Sequence, residues 1–201
     1  MTQDVSYEKA VLEAEQALLN ETNNAENKLQ SWHIHDIHYS EYEKFNKFFD
    51  SYDKSHLDKG NGKMCYREDF AYPTDIDPDL HFQEFIKKAV SELPLRIDRC
   101  TGTWGVEYKP GAYSNFHCHT GSSGIQPLSV VMFLTTAETN STYPLAGDLV
   151  TMLPEDHRII STNHKSIAGD VVIMEGKVFH GTYPTLNNRR VFVCDFDYTK
   201  I

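Results

Sequence analysis

Tyr108-Lys109-Pro110-Gly111-Ala112-Tyr113-Ser114-Asn115-Phe116-His117-Cys118-His119 is the stretch from which the rest of the chain can be read. Residues i and i+2 of an extended strand project to the same face, so His117 and His119 converge there while Cys118 turns away. A third ligand from a distant strand would close one face of a metal ion and leave the opposite positions open. Phe179-His180-Gly181, far downstream, offers that ligand.

Working outward, the region from Arg96 onward consists of short apolar runs separated by Gly, Pro, Asn and Asp: Thr103–Tyr108, Ser129–Leu134, Asp148–Met152, Arg158–Ser161, Val171–Met174 and Val191–Phe196. This pattern predicts an antiparallel sandwich or small barrel. The first third reads as helical. Tyr7, Val11, Leu12, Ala14, Leu18 and Leu19 form a helical stripe that the polar stretch from Asn20 to Asn27 ends. Ser40-Glu41-Tyr42-Glu43 has capping-box form, and Tyr42, Phe45, Phe48, Phe49 and Tyr52 follow at helical spacing. Asp77-Pro78 fits an N-cap followed by proline at the first helical position, ahead of an apolar face of Phe82, Phe85, Ile86, Ala89, Val90 and Leu93. The expectation is a mainly β protein with N-terminal helices: a helical extension over residues 1–30, then one domain over 31–201 with supporting helices near 40–55 and 78–93.

A chain of 201 residues, 40% hydrophobic, can bury one sizeable core. Its net charge of −10 disfavours a general affinity for nucleic-acid backbone or anionic membrane. No apolar stretch approaches the length of a spanning helix, and the start lacks a basic-then-apolar signal, so a soluble cytoplasmic protein is expected. Cys65, Cys100, Cys118 and Cys194 show no C-x-x-C spacing and read as reduced thiols.

The order of Tyr108, Gly111, His117 and His119 resembles the Y-x-x-G…H-x-D segment of the prolyl-hydroxylase-like 2-oxoglutarate/Fe(II) oxygenases. It is more similar to a phage and bacterial branch whose segment reads like Trp104…Tyr108…Gly111…His117-x-His119, followed by a Ser-Gly pair such as Ser123-Gly124. Gly169-Asp170-Val171-Val172-Ile173-Met174, His180-Gly181 and Arg190 to Phe196 look like the last strands of that superfamily, and the likeness spans residues 104 to 198. The resemblance implies a double-stranded β-helix, a jelly-roll or cupin-like barrel supported by helices. It further implies Fe(II) held by His117, His119 and His180, 2-oxoglutarate as cosubstrate, O2, and hydroxylation of a C–H bond in a small molecule or peptide, with a prolyl or other amino-acid residue as one target. His119 stands where the family usually carries a carboxylate, which leaves the site one unit more positive.

Alternation along the last strand puts Arg190, Phe192, Cys194 and Phe196 on one face, and Arg189, Val191, Val193, Asp195 and Asp197 on the other. The first is the more apolar, and an arginine opening an inward row is costly unless a carboxylate meets it. Arg190, ten positions beyond His180 as in the oxygenases the chain resembles, is therefore the candidate anchor for the far carboxylate of 2-oxoglutarate. Tyr108 matches the aromatic residue that donates its hydroxyl to the cosubstrate in the prolyl hydroxylases, with packing as its other reading. Two further readings stay open: a three-histidine cupin-type dioxygenase that uses no 2-oxoglutarate, and a catalytically silent metal-binding domain. His33, His35 and His38 read as part of a half-exposed strand beside Ile34 and Ile37, and His157 and His164 as solvated surface.

Overall fold

All six residues of Leu128–Phe133 are buried, so this strand must be covered on both faces, and two different layers cover it. The structure, a computed structural model, describes residues 32–51, 67–71, 80–119, 127–155 and 158–201. The expected helix between Tyr7 and Leu19, the Asp77-Pro78 cap, Tyr52, Cys65, Ser123-Gly124 and His157 lie outside the described residues. In chain order the elements are β1 (His33–His38), α1 (Glu43–Ser51), β2 (Arg67–Ala71), α2 (Leu80–Ala89), β3 (Leu95–Tyr108), β4 (Leu128–Phe133), β5 (Leu149–Glu155), β6 (Arg158–His164), β7 (Asp170–Glu175), β8 (Phe179–Thr182) and β9 (Arg189–Lys200). Each of the six expected strand runs falls within or against one of these strands, and both described helices fall inside the ranges expected for supporting helices. The short strands β2 and β8 were not set apart by the sequence pattern.

The larger sheet has the order β1-β7-β4-β9-β3-β2 and the smaller one β6-β5-β8, with all pairings antiparallel. On one face of the larger sheet, Val130, Met132, Ile173, Phe192, Cys194 and Phe196 pack with Phe45 and Phe49 of α1 and Phe82 and Ile86 of α2. On the other, Val106, Tyr108, Val131, Phe133, Val172, Val191 and Val193 cluster with Leu149 of the smaller sheet. Burying a residue of this size is worth about 1.5–3 kcal/mol, so neither cluster is dispensable. The helices therefore close the outer face, and the valine-rich face looks across to β5 and β8. Among the described residues no helix is long and apolar enough to cross a membrane.

Candidate metal centre

The segment that follows β3 is laid along β8 by backbone hydrogen bonds. The amide of Thr182 donates to the Ser114 carbonyl at 3.0 Å, and His117 and His180 exchange amide-to-carbonyl bonds at 2.9 Å in each direction. One step further, the His119 amide donates to the Gly176 carbonyl at 2.7 Å. Two glycines permit this course. Gly111 turns the chain at φ 85°, a conformation that costs other residues strain, and its amide donates to the Thr185 carbonyl at 2.7 Å. A Cβ on Gly181 would meet the Ser114 carbonyl oxygen at 3.0 Å and the Phe116 nitrogen at 3.1 Å, so any other residue would push the two segments apart by a few tenths of an ångström.

The result is a cluster of His117, His119 and His180 whose candidate ligand atoms all lie within 4.8 Å of one another. Each ring has an oxygen against its Nδ1: the Asn115 carbonyl at 2.8 Å from His117, the Val178 carbonyl at 3.0 Å from His180, and both carboxylate oxygens of Asp195 at 2.9 and 3.0 Å from His119. An oxygen acceptor at Nδ1 holds the proton there and leaves the Nε2 lone pair free, which is the tautomer a metal-binding imidazole needs. His180 is buried, and burial, then the neighbouring His117 and His119, push its pKa down to about 3, so it stays neutral at physiological pH. Trp104 packs on His119 with ring centroids 5.4 Å apart, and the Ser129 Oγ stands 2.9 Å from its Nδ1. The donor set suits a divalent transition metal with one side left open.

The two arginines lie as alternation requires, on opposite faces, but the site is on the face not expected. Arg190 is turned toward α1, donating from Nε to Glu107 at 2.8 Å and from an Nη to Asp50 at 2.7 Å, with Phe49 beneath it. The apolarity of Phe192, Cys194 and Phe196 reflects cover by the helices, not a ligand cavity. Arg189 is on the histidine side, 1% exposed, with its guanidinium over the rings of Tyr108 at 5.0 Å and Phe133 at 5.3 Å. Its Nε donates to Ser166 at 2.9 Å, whereas its two terminal nitrogens are buried with no partner at full hydrogen-bond geometry among the described residues, the Tyr108 hydroxyl being the group that faces the guanidinium. Burial lowers its pKa, while Tyr108 and Asp148 oppose that shift. Tyr108 is 4% exposed and is paired with Arg189 across β3 and β9.

Asp195, against His119, and Arg189, on the same side of β9, are residues to which the sequence reading gave no part. Both belong to the row that includes Val191 and Val193. The aromatic stripes of the two helices, which must cover an aromatic sheet face, were the available signal for choosing that row. His164 is also not solvated surface: it is 6% exposed, because His33 and His35 of β1 pack over it.

No family model matches the chain, and no curated protein matches it by sequence. Solved structures do. A prolyl-4-hydroxylase from Pseudomonas putida aligns with a TM-score of 0.63 and 15% identity over 82% of this chain and 91% of its own. A Trichoplax adhaerens prolyl hydroxylase, in complex with a peptide fragment of the hypoxia inducible factor oxygen degradation domain, gives 0.61 and 13% over 92% and 91%. HygX from Streptomyces hygroscopicus, with nickel, 2-oxoglutarate and hygromycin B bound, gives 0.56 and 12% over 83% and 82%. The fold is thus the double-stranded β-helix found in these oxygenases, as the sequence led one to expect.

Proposed function

We propose that the chain is an Fe(II)- and 2-oxoglutarate-dependent dioxygenase that hydroxylates a C–H bond of a small molecule or of a peptide residue. His117, His119 and His180 would hold the metal through Nε2, and Arg189 would grip the far carboxylate of 2-oxoglutarate, the role first expected of Arg190. The observation that carries this reading is Arg189 itself. Burying a guanidinium is costly, and its planar fork is suited to bidentate capture of a carboxylate. Here two of its nitrogens are buried with no carboxylate hydrogen-bonded to them among the described residues and only the Tyr108 hydroxyl facing them, on the side that the histidines occupy. A metal site alone would not need this residue.

When bound, iron with 2-oxoglutarate and O2 supplies oxidative decarboxylation to succinate and carbon dioxide, with the remaining oxygen atom inserted into the substrate C–H bond. The chain contributes placement. The Asn115 and Val178 carbonyls and Asp195 fix the three rings, and Tyr108 would donate its hydroxyl to the carboxylate that Arg189 would hold. The buried cluster of Val106, Val131, Val172, Val191 and Val193 would keep water from the cosubstrate. A peptide-bound or antibiotic-bound relative of the same fold supports both substrate classes equally.

Anaerobic loading with Fe(II) and then 2-oxoglutarate tests the reading, because chelation of the keto acid by ferrous iron gives a visible charge-transfer band. The band should appear with the metal-loaded protein, and succinate should form on admitting O2 with a suitable substrate. Iron binding without the band would favour a three-histidine dioxygenase, and tight Zn(II) binding without oxygen consumption would favour a silent domain.

A further inference from the structure

We propose that Asp195 is a positioning residue that returns, through His119, the negative charge missing from the ligand set. This rests on reading the triad as a metal site. The three rings are not held alike. His117 and His180 have neutral backbone carbonyls at Nδ1, whereas His119, the ring that replaces the usual carboxylate, faces both oxygens of a real one. Asp195 has no lysine or arginine within ion-pair distance among the described residues, and its side chain is only 16% exposed. A carboxylate kept from water without a counter-charge is costly. A divalent ion on the far nitrogen of His119 supplies that counter-charge across a single imidazole.

The charge count follows. Three neutral imidazoles around a divalent ion leave a net charge of +2, and Asp195 reduces it to +1, the value that two histidines and one carboxylate give directly. The metal draws electron density from His119 and strengthens the Nδ1–H···O bond, so ion and carboxylate each favour the other. The carboxylate is moved outward by one ring rather than lost. Ser129, beside the same Nδ1, helps hold that ring in place but carries no charge.

Asp195→Asn separates charge from geometry, since the amide oxygen can still accept the Nδ1 proton. Affinities for Fe(II) and Co(II) alone, measured anaerobically by chelator competition, should fall by about 10- to 100-fold, and the Co(II) ligand-field bands should shift. Asp195→Glu, which keeps the charge, should recover most of the loss. In a His119→Asp background the ligand set already holds a carboxylate, so adding Asp195→Asn should cost nothing or raise affinity. Wild-type affinity in Asp195→Asn would overturn the proposal, as would equal losses in the Asn and Glu variants or in both backgrounds. A wild-type protein that binds neither metal would overturn the metal reading itself, a different outcome from a wild type that binds while Asp195→Asn binds equally well.

Discussion

Among the described residues six histidines form two groups of three, and the rings within each are almost equally close. In the His117, His119 and His180 group the centroids are 5.4, 4.4 and 5.0 Å apart; in the His33, His35 and His164 group they are 5.1, 5.0 and 5.1 Å apart. Thr151 stands between them, paired with His180 across β5 and β8 while its hydroxyl contacts His164 Nε2 at 2.8 Å. Yet among the described residues only the first group brings its ligand atoms together. The difference lies in the second nitrogen of each ring. In the first group every Nδ1 is tied to an oxygen, which leaves the Nε2 atoms as the ones turned toward one another. In the second, His164 spends Nε2 on Thr151, His35 turns Nδ1 to its neighbour Asp36 at 2.7 Å, and His33 Nδ1 is buried with no partner among the described residues. Proximity of imidazoles makes a cluster; what holds their outer nitrogens makes a metal site.

The sharpest way to break this comparison is to delete rings from each group. His117→Ala or His180→Ala should abolish iron binding, because two imidazoles cannot replace a facial set of three. His33→Ala and His35→Ala should leave it unchanged. Metal content after anaerobic loading decides the matter, and normal iron occupancy in His180→Ala would reverse the roles assigned to the two groups.

That contrast also marks how far the sequence could be read. The strands were legible because each is a short apolar run bounded by turn residues, and the candidate histidine ligands because two of them are an i, i+2 pair. The side on which the site lies was not. Strand β9 is buried on both faces, so hydrophobicity distinguishes them poorly, and its phenylalanines mark helix cover instead of a cavity. Likewise, the burial of His164 depends on β1, which belongs to the other sheet and is far away in sequence. Alternation assigns residues to a face but does not say what that face will meet.

A second prediction exploits the arginines, which differ in the same manner as the histidine groups: one is committed to partners and the other is available. Arg189→Leu should leave iron bound but weaken 2-oxoglutarate by about 2–3 kcal/mol, some 30- to 150-fold in Kd, the loss expected of a charge-assisted bond to a buried carboxylate. Arg190→Leu should leave the titration unchanged and instead cost about 1–2 kcal/mol of stability, since Glu107 keeps Lys109 at 2.6 Å as a remaining partner. The charge-transfer band titrated in each variant, with denaturant melts alongside, separates the two. A weakened titration in Arg190→Leu with none in Arg189→Leu would restore the first assignment.

The smallest effect should come from the histidine group without a metal role. Burial, and then His33 and His35, hold the His164 pKa down to about 4, against an ordinary value of 6.5; burial and His35 also lower that of His33. A histidine that is harder to protonate when folded destabilises the fold as acid is added. Its neutral form keeps full stability above pH 6.5, and that stability is lost progressively as pH falls toward 4. For His164 the loss by pH 5 is about 1–2 kcal/mol. Glutamine does not titrate and can still bond to Thr151, so His164→Gln should lose less stability than wild type between pH 7 and 5, in urea melts run with chelator present. His180 contributes acid sensitivity of the same sign in both proteins, so the difference between them isolates His164. Identical pH profiles for wild type and His164→Gln would mean that His164 is already solvated and protonated in the folded state, and that the second group does not form the closed cluster on which the comparison depends.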